Sequence, residues 1–115
     1  MKKKGIKILL VDDEPDILEI VGYNLSQEGY KIVTANNGKE AIAVAKKEKP
    51  HLIIMDVMMP EMDGIEACEN IRQIPDLQQT IITFLTARNE DYSQVAGFEA
   101  GADDYIAKPI KPKLL

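Results

Sequence analysis

The chain has 115 residues, 45% of them hydrophobic and 29% charged, with one cysteine and a formal net charge of -5. That length supports one domain with a real core, and the composition excludes disordered and fibrous classes. The acidic balance excludes a nucleic-acid grip through the chain's own surface, which needs a positive stripe. A lone Cys68 excludes an internal disulfide and a cysteine zinc site, and fits a reducing cytoplasm.

The longest apolar runs, Ile8 to Val11, Leu52 to Met55 and Ile81 to Leu85, fall far short of the ~20 residues a membrane-spanning helix needs. Met1 to Lys4 is basic, but Asp12 and Asp13 arrive before any long apolar core, so it reads as a solvated tail rather than a signal peptide.

Ile6 to Val11 is the first run of strand length. Ile17, Leu18, Val21 and Leu25 then share a helical face, with Pro15 in the tolerant first turn and Gly29 as the stop. Lys31 to Ala35 is a second strand. Ala41, Val44 and Ala45 form a second helical stripe between Asn36-Asn37-Gly38 and Pro50. Leu52 to Met55 is a third strand, and Ile65, Cys68, Ile71 and Arg72 mark a helix opened by Gly64 and closed by Pro75. Ile81 to Leu85 is the fourth strand. Val95, Phe98 and Ala102 lie near one face of a fourth helix ending at Gly101, and Tyr105 to Ala107 is a fifth strand. Lys111 to Leu115 looks like the opening of a fifth helix, left incomplete.

Continuous apolar strands are those covered on both faces, and strand–helix alternation with short connections predicts an α/β doubly wound parallel sheet. In such sheets ligands bind beyond the carboxyl ends of the strands, where the winding reverses. Asp12, Asp13 and Glu14 follow the first run, Asp56 the third, Thr86 the fourth, and Lys108-Pro109 the fifth. Clustered carboxylates either take up protons or demand a cation. Hard oxygen donors without nearby His or Cys favour Mg²⁺ over zinc. Lys108 suits a phosphate oxygen, Thr86 can donate to another, and an aspartate can itself form an acyl phosphate. Asp56, alone at the end of a central strand, is the candidate nucleophile.

Val11-Asp12-Asp13-Glu14, Asp56-Val57-Met58-Met59-Pro60 with Met62-Asp63-Gly64, Leu85-Thr86-Ala87, and Gly101-Ala102-Asp103-Asp104-Tyr105 before Lys108-Pro109 together closely resemble the receiver domain of two-component response regulators. The resemblance runs over essentially residues 1–115 and is nearest to receivers of winged-helix transcription regulators. It implies a flavodoxin-like (CheY-like) sheet of five strands in the order 2-1-3-4-5. It further implies that Asp56 takes a phosphoryl group from the phosphohistidine of a sensor histidine kinase. Asp12 and Asp13 would hold Mg²⁺, with Asp56 and the backbone carbonyl of Met58 completing the protein ligands. Thr86 and Lys108 would meet the phosphoryl oxygens, and the Lys108-Pro109 peptide would be cis. Tyr105 would turn inward as Thr86 moves, reshaping the face made of the fourth helix, fifth strand and fifth helix and promoting a homodimer. DNA would be bound only through a separate effector domain, this chain being the N-terminal part of a longer regulator. Ile110 departs from the family's usual Phe. The resemblance also implies that Met58 and Arg88 would flank the water route to the phosphoryl group, where their bulk would slow self-dephosphorylation.

Each residue alone has a plainer reading. Asp12 and Asp13 can serve as negative charge at a helix N-terminus, Thr86 as a strand end, Lys108-Pro109 as a turn. Cys68 reads as a small core residue, and His51 as structural or solvent-exposed at the opposite edge of the sheet. A haloacid-dehalogenase-type phosphatase also uses an aspartyl phosphate, but it spaces nucleophile and acid two apart, whereas Asp12 and Asp13 are adjacent. A flavin module would need a Gly- and Ser/Thr-rich loop where Asp12-Asp13-Glu14-Pro15 stands. A scaffold-only receiver would lack a site residue, and none is missing. A stand-alone receiver in a phosphorelay or in motor control remains the alternative to a transcription regulator.

Overall fold

The computed structural model describes residues 5–57, 59, 61–86 and 101–107. Its elements in chain order are β1 (Lys7–Val11), α1 (Pro15–Gln27), β2 (Lys31–Ala35), α2 (Gly38–Glu48), β3 (Leu52–Asp56), α3 (Gly64–Arg72), a short 3-10 turn (Pro75–Leu77), β4 (Ile81–Thr86) and β5 (Asp104–Ala107). The expected fourth and fifth helices, with Val95 and Phe98, lie outside the described residues, as does the Met1–Lys4 tail. No helix among the described residues is long and apolar enough to cross a membrane.

The strands pair in parallel in the order β2-β1-β3-β4-β5. Side chains alternate faces along a strand, and both faces here are apolar. Ile8, Leu10, Ile54 and Leu85 pack with Val21 and Leu25 of α1. Leu9, Val11, Ile53, Met55, Ile82 and Phe84 pack with Ala41 and Ala45 of α2 and with Ala67, Cys68 and Ile71 of α3. Each large apolar side chain so buried contributes about 1.5–3 kcal/mol. Helices on both faces explain the unbroken apolar runs.

Helix limits follow local chemistry. Pro15 opens α1. At its other end Gly29 (φ 101) donates its N–H to Ser26, while Tyr30 donates to Leu25, the Schellman closure that glycine makes available. Asn37 caps α2 by accepting the N–H of Glu40 at 2.8 Å, and Asp63 caps α3 by accepting that of Glu66 at 2.8 Å. The third helix stops at Arg72, before Pro75, because Pro75 starts the 3-10 turn instead. Strands β3 and β4 run one residue past their apolar runs and thereby include Asp56 and Thr86. Strand β1 starts at Lys7 rather than Ile6, and β5 at Asp104 rather than Tyr105.

Candidate functional site

Winding reverses between β1 and β3, because the chain passes to β2 on one side of β1 and to β3 on the other. Register then places the polar residues. Val11 lies opposite Met55, so Asp12, one residue on, comes level with Asp56. Asp56 lies opposite Leu85, which sets Thr86 one step beyond, and Thr86 lies opposite Ala107, whose next residue in sequence is Lys108.

One carboxylate oxygen from each of Asp12, Asp13 and Asp56 lies within 4.8 Å of the others. Asp12 is fully buried, Asp56 is 5% exposed, and Asp13 faces solvent. Asp12 Oδ1 accepts the N–H of Glu14 at 2.9 Å, an Asx turn, and its own N–H donates to Ala35 at 3.2 Å. These bonds fix the first carboxylate at the mouth of the switch point. Two buried carboxylates at that spacing repel by roughly 3–4 kcal/mol at an effective dielectric of 20. The arrangement is one that a divalent cation relieves.

The donor set fits Mg²⁺: hard carboxylate oxygens from two strand ends, with Asp13 exposed to solvent. No other group of three or more His, Cys, Asp or Glu side chains among the described residues comes together in this way. His51 sits at the opposite edge, exposed, where its Nδ1 accepts the N–H of Lys7 at 3.0 Å. Its bond is structural, as its place in the sequence implied. Cys68 is fully buried in the core. Burial pushes its thiol up to about 11, so it is protonated and poorly nucleophilic near neutral pH.

Thr86 ends β4, and Tyr105 stands in β5 opposite Phe84. Met58, Arg88, Lys108 and Pro109 lie outside the described residues, so the expected carbonyl ligand, the water-route pair, the ammonium and the cis peptide do too.

The loop between β3 and α3 is held from two sides by glycines. The N–H of Gly64 donates to the carbonyl of Val57 at 2.8 Å, and a Cβ on Gly64 would collide with the carbonyl oxygen of Asp56. A Cβ on Gly38 would lie 2.7 Å from the carbonyl oxygen of Met62. From sequence, Gly38 reads as the approach to a helix and Gly64 as a helix opening within the Met62-Asp63-Gly64 motif; a close backbone approach leaves no local signature. The cap at Asp63 has a signal in the sequence. Asp63 followed by Glu66 is the spacing of an N-cap and its third helical residue.

Comparison with known proteins agrees with this geometry. The family model described as the response regulator receiver domain matches residues 8–115. The chain is 48% identical over 109 residues to the alkaline phosphatase synthesis transcriptional regulatory protein PhoP of Bacillus subtilis, covering 93% of this chain and 44% of that protein. It is 49% identical over 107 residues to the transcriptional regulatory protein ResD of the same species, covering 93% and 43%. Among solved structures, the chemotaxis protein CheY4 of Vibrio cholerae superposes with a TM-score of 0.90 at 35% identity, over 94% of this chain and 90% of that one. The chain thus spans less than half the length of these curated relatives and nearly all of the chemotaxis protein.

Proposed function

Because the chain belongs to the receiver-domain family of two-component response regulators, we propose that Asp56 is the phosphoacceptor of a signalling switch, charged by a sensor histidine kinase. The supporting observation is the convergence of Asp12, Asp13 and Asp56, two of them buried, at the reversal point of the sheet.

In this reading a carboxylate oxygen of Asp56 attacks phosphorus in line with the P–N bond of a phosphohistidine. The acyl phosphate bond forms as the P–N bond breaks, and the imidazole leaves as the neutral ring after taking up a proton. Asp12, Asp13, Asp56 and the carbonyl of Met58 would hold Mg²⁺, which would supply positive charge against the phosphoryl oxygens. Asp12, locked by its bond to Glu14, fixes the ligand side of the site. Thr86 donates its hydroxyl to one phosphoryl oxygen and Lys108 its ammonium to another. Burial of Asp56 keeps bulk water off the acyl phosphate. Tyr105 carries the change to the face around β5, where a homodimer then forms. Rather than turning over a pool of substrate, the protein catalyses only its own phosphorylation and dephosphorylation.

The output we favour is transcription, since PhoP and ResD are transcriptional regulatory proteins. An acidic chain requires a separate effector domain for contact with DNA, and the same composition suits a cytoplasmic protein.

Incubation with acetyl phosphate and Mg²⁺, followed by intact-mass and peptide mass spectrometry, tests this reading. The expected result is one phosphoryl group on Asp56, lost with EDTA or in Asp56→Asn. An unmodified chain, or multiple turnover of the small phosphate without a labelled aspartate, would overturn it.

A further inference from the structure

Arg72 ends α3 with its side chain only 18% exposed. Its Nη1 donates to the carbonyls of Thr80 (2.6 Å), Leu77 (3.2 Å) and Gln78 (3.4 Å), and its Nε to that of Gly101 (2.9 Å). Its Nη2 meets Asp103 Oδ2 at 2.8 Å. That same oxygen accepts the N–H of Ile82 at 2.9 Å, while the N–H of Asp103 donates to the carbonyl of Ile82 at 2.9 Å. One guanidinium therefore ties the end of α3, the turn before β4 and the turn before β5 to one another. Gly101 is shaped to this fastening. Its φ of +107° lies in the left-handed region, and a Cβ there would stand 2.8 Å from Arg72 Cγ.

What the fastening holds matters for the site. Strand β5 has four residues at the edge of the sheet, so its ladder with β4 is short and a slip at its start would propagate to its end. Its last residue, Ala107, is followed directly by Lys108. At its other end α3 begins with Gly64 against the backbone of Asp56. This helix thus spans the distance from the acceptor residue to the start of the strand that delivers the lysine.

We propose that Arg72 is a positioning residue for phosphoryl transfer: by holding Gly101 and Asp103 it sets where β5 begins and so the register that brings that strand's last residue, Ala107, opposite Thr86 at the edge of the sheet where Asp56 ends β3. The proposal rests on the phosphoacceptor reading above. It separates two properties of one site. Asp12 and Asp13 directly follow β1 and Asp56 ends β3, so on this proposal the metal-binding carboxylates stand apart from β5 and only the rate of transfer depends on where β5 sits.

Removing the whole side chain would strip the donor from several part-buried carbonyls, so the test uses Arg72→Lys and Asp103→Ala. Lysine keeps the charge without the planar fork, and Asp103 is half exposed. Both variants are assayed well below their melting temperature for Mg²⁺ affinity, from amide shifts at Asp12, Asp13 and Asp56, and for the rate of Asp56 phosphorylation by phosphoramidate at saturating Mg²⁺. The expected result is a rate lower by about tenfold with Mg²⁺ affinity held within about twofold, the pattern of a misplaced group rather than a loosened fold. Wild-type rates in both variants, or Mg²⁺ affinity falling in step with the rate, would overturn the proposal. A wild-type chain that takes up no phosphoryl group would instead overturn the phosphoacceptor reading, and this inference with it.

Discussion

Asp56, the proposed phosphoacceptor, is crowded by a residue without a side chain. Gly64 lies so close that any Cβ would strike the carbonyl oxygen of Asp56, while its N–H bonds Val57 next door. Gly64→Ala must therefore displace either the start of α3 or the end of β3. Overpacking of this kind costs about 1–3 kcal/mol. Urea unfolding should show that loss, and phosphorylation of the folded variant should slow at unchanged protein concentration. A variant as stable and as fast as the wild type would show that the loop yields at no cost. The contrast between Gly64 and Asp56 also marks what one chain of letters can disclose. Asp12, Asp13 and Asp56 were legible as a site because each follows an apolar run, and strand ends in a parallel sheet share one edge. The close approach of Gly64, and the five acceptors of Arg72, which range from Leu77 to Asp103, follow no periodicity that would reveal them.

Two of the three described helices, α2 and α3, start on a side-chain cap, whereas α1 starts on Pro15 without one. Asn37 and Asp63 each accept an N–H from the third residue of the helix that follows, Glu40 and Glu66. Glu40 Oε1 in turn accepts the N–H of Asn36 at 2.9 Å, a reciprocal clamp close to the capping box. Both caps stand at the same edge of the sheet as the acidic cluster, because each follows the carboxyl end of a strand, β2 or β3. Replacing either with alanine should cost about 1 kcal/mol, read as a lower urea midpoint at unchanged slope. Asp63→Ala should cost more than Asn37→Ala near neutral pH, because the ionised carboxylate also meets the positive end of the helix dipole. That excess should shrink in high salt. Equal losses at every salt concentration would show that the caps act through hydrogen bonding alone. The elements themselves were readable because period and punctuation agreed: Pro15 and Gly29 around α1, the alanine stripe of α2, the apolar run of β3. Boundaries slipped by a residue where a polar side chain, Asp56 or Thr86, completes a ladder that its own chemistry does not announce.

Viewed as a whole, the molecule gathers stability over two apolar layers and gives some of it back at one rim. Asp12 and Asp56 are removed from water and held within 4.8 Å of a third carboxylate, so their mutual repulsion is one term that opposes folding. A cation that binds only the folded form reverses this. Mg²⁺ at a hundred times its dissociation constant should add about 2.7 kcal/mol, which for a chain of this size corresponds to roughly 10 °C in Tm. Asp56→Asn removes one of the repelling charges while keeping the shape, so it should melt above the wild type without divalent ions. With one ligand gone, the same variant should respond less to added Mg²⁺. The two melting curves should therefore draw together, or cross, as Mg²⁺ rises. Calorimetry across a Mg²⁺ titration, with EDTA as the baseline, measures both effects at once. A wild-type Tm indifferent to Mg²⁺, or an Asp56→Asn chain that melts lower in EDTA, would mean that the cluster is neutralised from within and that no cation is needed to hold the fold's functional edge together.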